Sequence, residues 1–217
     1  MLIQIVLFDG FDMLDVIAPY EVLEAGASLA AKKDGASISI EFVSAQGPGL
    51  VRAGALKNPE NGLLIEATAQ LNPSMADLIV VPGALGEYEE IDGPNSIPAI
   101  LGRAATGELA VLLEEAMVRH EVTVATVCGG SLILGMAGLI QGRNAVTHHI
   151  ALPMLEAMGV NVIDARVVDD GDLISGGGVT SGLDVGIYLV ERFLGSDIAL
   201  SIEKLMEYER RGVAWRK

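Results

Sequence analysis

From Leu2 onward, short runs of β-branched and other apolar residues alternate with longer segments whose apolar positions recur at helical spacing. The short runs read as buried strands and the longer segments as helices with one face turned inward. Strands are predicted at Leu2–Phe8, Ser37–Ala45, Asp77–Val81 and Val122–Val127, with shorter ones at Arg143–Val146, Val160–Val162 and Arg166–Val168. Helices are predicted at Asp15–Ala31, Gly107–His120, Ser131–Ala137, Ile150–Met158, Ser181–Phe193 and Asp197–Arg210. Pro19 is placed in the opening turn of the first helix, where a missing amide hydrogen costs little. Val51–Ile65, with its glycines and Asn58-Pro59, reads as a hairpin or extended excursion. Asp169-Asp-Gly171 leads into Leu173-Ile174 as a second hairpin.

Strands alternating with helices imply one α/β domain over residues 1–217, a mostly parallel central sheet with helices on both faces. In such sheets ligands bind beyond the carboxyl ends of the strands. Three such ends carry glycine: Asp9-Gly10, Pro82-Gly83 and Cys128-Gly129.

Composition narrows the function classes. Hydrophobic residues make up 51% of the 217, ample for a core of this size. The formal net charge of −15 argues against a nucleic-acid surface, which needs clustered Lys and Arg. A single cysteine excludes an intrachain disulfide and a cysteine-based zinc cluster, and suits a reducing cytosol. Met1–Phe8 has no basic n-region, and no window has the uninterrupted apolar length of a bilayer span. A soluble, cytoplasmic protein with no membrane or nucleic-acid partner is expected.

The chemistry gathers on Cys128. The strand Val122–Val127 runs into Cys128-Gly-Gly-Ser131 and then a helix, so the thiol falls at a strand-to-helix turn. Helix-start amides and the helix dipole favour an anion, so a lowered thiol pKa is expected. This is the arrangement of a nucleophile elbow built on sulfur. A buried structural cysteine stays open as the alternative, because free Cys is among the most buried residue types. Asp15, on its own, reads as a helix cap or first-turn acid. Asp9, Asp12 and Asp15 lack the further ligands and twelfth-position glutamate of a calcium loop, so no metal is expected. Gly176-Gly-Gly178 lacks the Lys-Ser/Thr of a P-loop and the spacing of a dinucleotide fingerprint, and reads as a structural turn. Asp184 reads as a first-turn acid, and His120, beside Arg119, as a helix C-terminal residue.

Five stretches together carry a family resemblance: Leu14–Pro19, Val80–Gly83, Val127–Gly142, Ala145–His148 and Asp170–Asp184. In order along nearly the whole chain, they resemble the ThiJ/PfpI superfamily, which is class I glutamine amidotransferase-like. Within it they are most similar to the branch of isocyanide hydratases and of the sensor domains of AraC-type regulators. The resemblance implies a flavodoxin-like sandwich, a homodimer and a reactive cysteine in the elbow, here Cys128. It also implies that Asp15 reaches across the strand ends to that cysteine and exchanges a proton with substrate. A carboxyl buried beside a thiolate should have a raised pKa. The backbone amides of Gly83 and Gly129 are then candidates for an anion hole opposite the thiolate. Thr147-His148 matches a Thr-His of the hydratase branch, leaving His148 a structural or catalytic role. His149 has no matched role.

Position 129 departs from the pattern. Proteases and glyoxalase-like members usually place histidine directly after the cysteine, and isocyanide hydratases threonine; here it is glycine. A Cys-His hydrolase would need an imidazole from elsewhere, and the hydratase hydroxyl is missing. The leading expectation is a cofactor-free enzyme acting on a small-molecule substrate. Cys128 attacks an electrophilic carbon, Asp15 supplies the proton, and water releases the product. From an isocyanide that product is an N-substituted formamide, formed through a thioimidate. The alternatives are an amidase or protease, and a non-catalytic ligand or redox sensor.

Overall fold

The computed structural model describes residues 1–54, 62–87 and 93–217. The chain opens with β1 (Leu2–Leu7), α1 (Met13–Asp34) and β2 (Ser39–Ser44), followed by β3 (Gly49–Arg52), β4 (Leu64–Ala67), β5 (Ala69–Gln70) and β6 (Leu78–Val81). Next come α2 (Ile97–Thr106), α3 (Glu108–Met117), β7 (Thr123–Thr126) and α4 (Gly130–Met136). Short elements follow: β8 (Asn144–Ala145), a 3-10 turn (His149–Ala151), α5 (Leu152–Ala157), β9 (Asn161–Val162), β10 (Val167–Asp169) and β11 (Leu173–Gly176). The last are α6 (Ser181–Leu194), α7 (Ser196–Met206) and β12 (Trp215–Arg216).

Eight strands form one sheet in the order β12-β10-β11-β7-β6-β1-β2-β5. Neighbours run parallel except β10 and β11, the hairpin expected at Asp169-Asp-Gly171. Strand alternation sorts the side chains by face. Ile3, Ile5, Leu7, Leu78 and Val80 pack into a core with α1, α6 and α7. Val6, Ile79, Val81 and Val124 join a second core with α2, α3, α4 and α5. Both faces are covered, which is why the central strands read as nearly continuous apolar runs. The expected mostly parallel sheet with helices on both faces is the observed architecture.

Several local expectations are corrected. α1 starts at Met13 rather than Asp15, and Asp12 caps it by accepting from the Leu14 amide at 2.9 Å. Pro19 therefore lies in the second turn, where it leaves the Asp15 carbonyl without its intrahelical donor. α3 ends at Met117, so His120 is no helix residue; its Nδ1 sits 3.1 Å from the Asp172 carboxylate. Asp184 does lie in the first turn of α6, but it is buried and accepts from Arg166 Nε (2.7 Å), the Tyr208 hydroxyl (3.0 Å) and the Arg211 amide (2.8 Å). Those three bonds, two of which tie the C-terminal segment to α6, account for it better than the helix dipole. The Val51–Ile65 excursion is the antiparallel β3–β4 hairpin, and Asn58-Pro59 lies outside the described residues. Among the described residues, no helix is long and apolar enough to cross a membrane.

β1, β6, β7 and β11 run the same way, so their carboxyl ends share one edge of the sheet. There the first turn of α4 sits directly on the end of β6. A Cβ at Gly130 would lie 2.2 Å from the Val81 carbonyl oxygen, a distance no side chain tolerates. Gly130→Ala is expected to destabilise the fold by about 1–3 kcal/mol, read as a lower urea midpoint. Gly102→Ala is the control. An added Cβ there meets nothing within 4 Å, and alanine suits a helix interior better than glycine, so its midpoint should hold or rise. Equal midpoints for the two variants would overturn this account of the elbow.

Candidate active site

Cys128 adopts a left-handed backbone with φ 54°, shared among described non-glycine residues only with Glu207. Such a conformation costs about 1–3 kcal/mol and persists only where the surroundings enforce it. The enforcing contacts are local hydrogen bonds. The Gly130 amide donates to the Val127 carbonyl at 2.9 Å, and the Thr147 hydroxyl to the Cys128 carbonyl at 2.8 Å. The Ser131 hydroxyl donates to the Val146 carbonyl at 2.7 Å, and the Val146 amide to Ser175 Oγ at 2.9 Å. The elbow is thus fastened to the segment carrying His148 and, through it, to β11. Neither Thr147 nor Ser131 carries a sequence signal for this role; only the fold brings them together.

Asp15 is wholly buried. Since Asp12 serves as the cap, Asp15 is left to face the neighbouring loops. Its Oδ2 accepts from the Gly83 amide at 2.9 Å, and the Gly83 carbonyl accepts from the Asp12 amide at 2.9 Å. Both backbone groups of Gly83 are therefore engaged with the start of α1. A Cβ on Gly83 would fall 2.5 Å from the Gly129 nitrogen and 2.9 Å from Asp15 Oδ2. Three loops meet here backbone to backbone. This corrects the expected anion hole: the Gly83 amide holds the Asp15 carboxyl and is not free to face the sulfur. The Gly129 amide does bond to the sulfur and favours its anion.

The carboxyl of Asp15 is held well above the usual carboxylate range, first by burial and then by the charge of Asp12. Its hydrogen bonds to the Gly83 amide and the Cys128 thiol pull it only partly back. The raised direction matches the expectation. For Cys128 the expectation fails: burial, then the negative charge of Asp15, pushes the thiol up despite the Gly129 amide. α4 has only seven residues, a weak counterweight to desolvation. Each member of this pair favours keeping its proton. Among the described residues Asp15 Oδ1 is buried with no partner in hydrogen-bond geometry, so the protonated acid has a hydrogen to give.

Cys128 and Gly129 line a cavity of about 340 Å³, with the Asp15 carboxyl buried behind the thiol. Its walls are Ile97, Pro98 and Leu101 of α2, Leu132 and Met136 of α4, and Ile150, Ala151 and Met154 of the following segment, with Val179 beside them. α2 is absent from the predicted helices, although Ser96 as cap and Pro98 in the first turn mark its start. Leu101 fills the space beside the elbow, since a Cβ at Gly129 would meet its Cδ1 at 3.1 Å. His148 also lines the cavity. Its Nδ1 accepts from the Ile150 amide at 3.4 Å, which leaves the neutral ring its hydrogen on Nε2. Burial, then the neighbouring His149, lowers its pKa and keeps it neutral. Asp9 stands apart, accepting from the Arg52 amide at 3.3 Å.

Residues 1–192 match the DJ-1/PfpI family. The chain belongs to that family. Isonitrile hydratase of Pseudomonas putida is 30% identical over 207 residues, spanning 95% of this chain and 78% of that protein. A ThiJ/PfpI family protein from Pseudomonas syringae superposes with a TM-score of 0.75 at 24% identity, covering 97% of this chain and 76% of its own. DJ-1beta of Drosophila melanogaster superposes with a TM-score of 0.75 at 17% identity, covering 96% and 98%. At these identities the two structures speak for the fold alone. DJ-1/PfpI membership agrees with the resemblance carried by the elbow and Gly-Gly-Gly stretches.

Two measurements check the buried pair. In wild type, alkylation of Cys128 should titrate above the ordinary thiol value of about 8.5. In Asp15→Asn the profile should move to lower pH, because a negative neighbour is gone while burial remains. Unmoved profiles would break the coupling. Stability supplies the second check. The folded pKa of Asp15 lies above its unfolded value of about 4, so its favourable contribution exists only below that pH and is lost as pH rises. Asp15→Asn, which keeps an acceptor for the Gly83 amide, should therefore stabilise the protein at pH 7 by about 1 kcal/mol. The gain should shrink towards pH 4; a gain that grows on acidification would contradict the assignment.

Proposed function

We propose that this chain is a cysteine-dependent enzyme that adds water to a small isocyanide, giving an N-substituted formamide through a covalent adduct on Cys128. The observation that carries the reading is a buried thiol at the wall of one largely apolar cavity with a buried carboxyl behind it, burial pushing each towards its protonated form. The terminal carbon of an isocyanide must accept a proton and a nucleophile at the same atom. A neutral acid next to a thiol delivers both from one side. The similarity to an isonitrile hydratase supports this substrate class.

Asp15 gives its proton to the isocyanide carbon while taking the thiol proton, and the sulfur bonds to that carbon. The sum is R–N≡C plus Cys–SH giving the thioimidate R–N=CH–S–Cys, with Asp15 again protonated. Water then adds to the thioimidate carbon, one of its protons passing to nitrogen. The C–S bond breaks, the sulfur regains its proton by way of Asp15, and R–NH–CHO leaves. The Gly129 amide stabilises charge on sulfur as it forms and departs. His148, with its hydrogen on Nε2, holds the attacking water or the substrate nitrogen by donating to it.

The other readings fit the same geometry less well. An amidase needs an imidazole that takes the thiol proton and hands it to the leaving amine. Here the imidazole of the cavity presents a donor. A redox sensor needs a thiolate at ordinary pH, whereas this thiol is pushed the other way.

Incubation with an alkyl isocyanide should yield the formamide, and acid quenching should trap the thioimidate as added mass on Cys128. Cys128→Ala should abolish turnover, and Asp15→Asn should lower kcat by about 10²–10⁴-fold. Formamide production by Cys128→Ala, or none by wild type, would sink the proposal.

A further inference from the structure

Among its described lining residues the cavity over Cys128 carries acids but no permanently basic group. Asp12 and Glu87 line it, and Asp15 lies behind it. Among its described lining residues there is no Lys or Arg, and the sequence from Ala84 to Asn95 carries neither. Among the described lining residues His148 is the one group able to become a cation. Both carboxylates stand on fixed backbone. Asp12 is the cap of α1 and only 7% exposed. The Glu87 amide donates to the Asn95 carbonyl at 2.9 Å, and Glu87 bridges to Ser96, the cap of α2. The remaining wall is apolar, and its rim includes Ile150, which is 75% exposed.

An anion entering a cavity poor in water needs a cation or several donors to replace its hydration. Here it would meet two carboxylates, little screened. An uncharged apolar group loses no hydration of that kind and gains the wall. Resting on the hydratase reading, we propose that Asp12 and Glu87 determine substrate charge. The site takes isocyanides with uncharged or cationic apolar substituents and rejects those bearing a carboxylate or sulfonate.

Thiol labelling tests this without requiring turnover, because Cys128 is the only thiol. Three methanethiosulfonates differ only in the group they carry: benzyl, trimethylammonioethyl or sulfonatoethyl. Each forms a mixed disulfide with Cys128 and releases methanesulfinate, and rates are taken relative to a small free thiol. In wild type the sulfonate reagent should be slowed at least about tenfold against the benzyl reagent, with no such penalty for the ammonium reagent. Asp12→Asn, which keeps the cap acceptor, and Glu87→Gln should each raise the sulfonate-to-benzyl ratio by about threefold or more. A wild-type ratio equal to that of the free thiol overturns the proposal, as does a ratio that neither variant changes. Selective labelling without isocyanide turnover upholds charge selection and sinks the hydratase reading. Turnover with unselective labelling overturns charge selection alone.

Discussion

The hydrogen bond from the Gly83 amide to the buried carboxyl of Asp15 is the contact on which the rest of the site depends. It serves a group that has lost all its water, and it exists only because three chain segments converge without side chains between them. The parallel register delivers them level: Ile5 lies opposite Val80, and Val80 opposite Ala125, so β1, β6 and β7 end along one line. Beyond that line Gly83 touches the Gly129 backbone on one side and the start of α1 on the other. Any side chain at Gly83 would part the acid from the thiol. The separation of acid and thiol is therefore set by backbone packing, which is stiff, and not by rotamers, which are not.

The same convergence explains why the elbow pushes the thiol pKa up and not down. A helix start contributes about 0.3–1 kcal/mol to a nearby anion, whereas full burial moves a pKa by up to about 3–5 units. With a short α4 and a carboxyl as neighbour, desolvation wins. The outcome is a site that stores protons instead of charge. That suits the proposed reaction, whose first need is an acid.

Much of the fold was legible because the strands are buried on both faces. Leu78–Val81 and Thr123–Thr126 have no polar side to blur the pattern, except threonines that pack inward. The glycines at the strand ends located the site edge, and Cys128 stood out as the lone thiol. The legible part stops where tertiary context takes over. Two-residue strands such as β5 and β12 have no periodicity to read. Asp12 and Asp15 are both plausible caps three residues apart, and nothing local decides between them. Once the fold assigns the cap to Asp12, Asp15 is freed for the site. Charge regulation was illegible for the same reason, since a lowered or raised thiol pKa depends on burial that the strand–turn–helix pattern does not encode.

The departure at Gly129 takes on a different meaning once α2 is in place. A missing side chain beside a nucleophile suggests a missing function when only the chain order is known. In three dimensions the space is occupied: Leu101 reaches over the elbow from α2, close enough that a Cβ at 129 would press on it. Glycine and leucine at these two positions are therefore one structural choice made by two segments distant in sequence. It gives the thiol an apolar neighbour, while the imidazole of His148 lines the same cavity. The identity of residue 129 thus cannot be weighed without the helix above it. That coupling makes the α2 wall, together with the elbow, what sets the surroundings of the thiol.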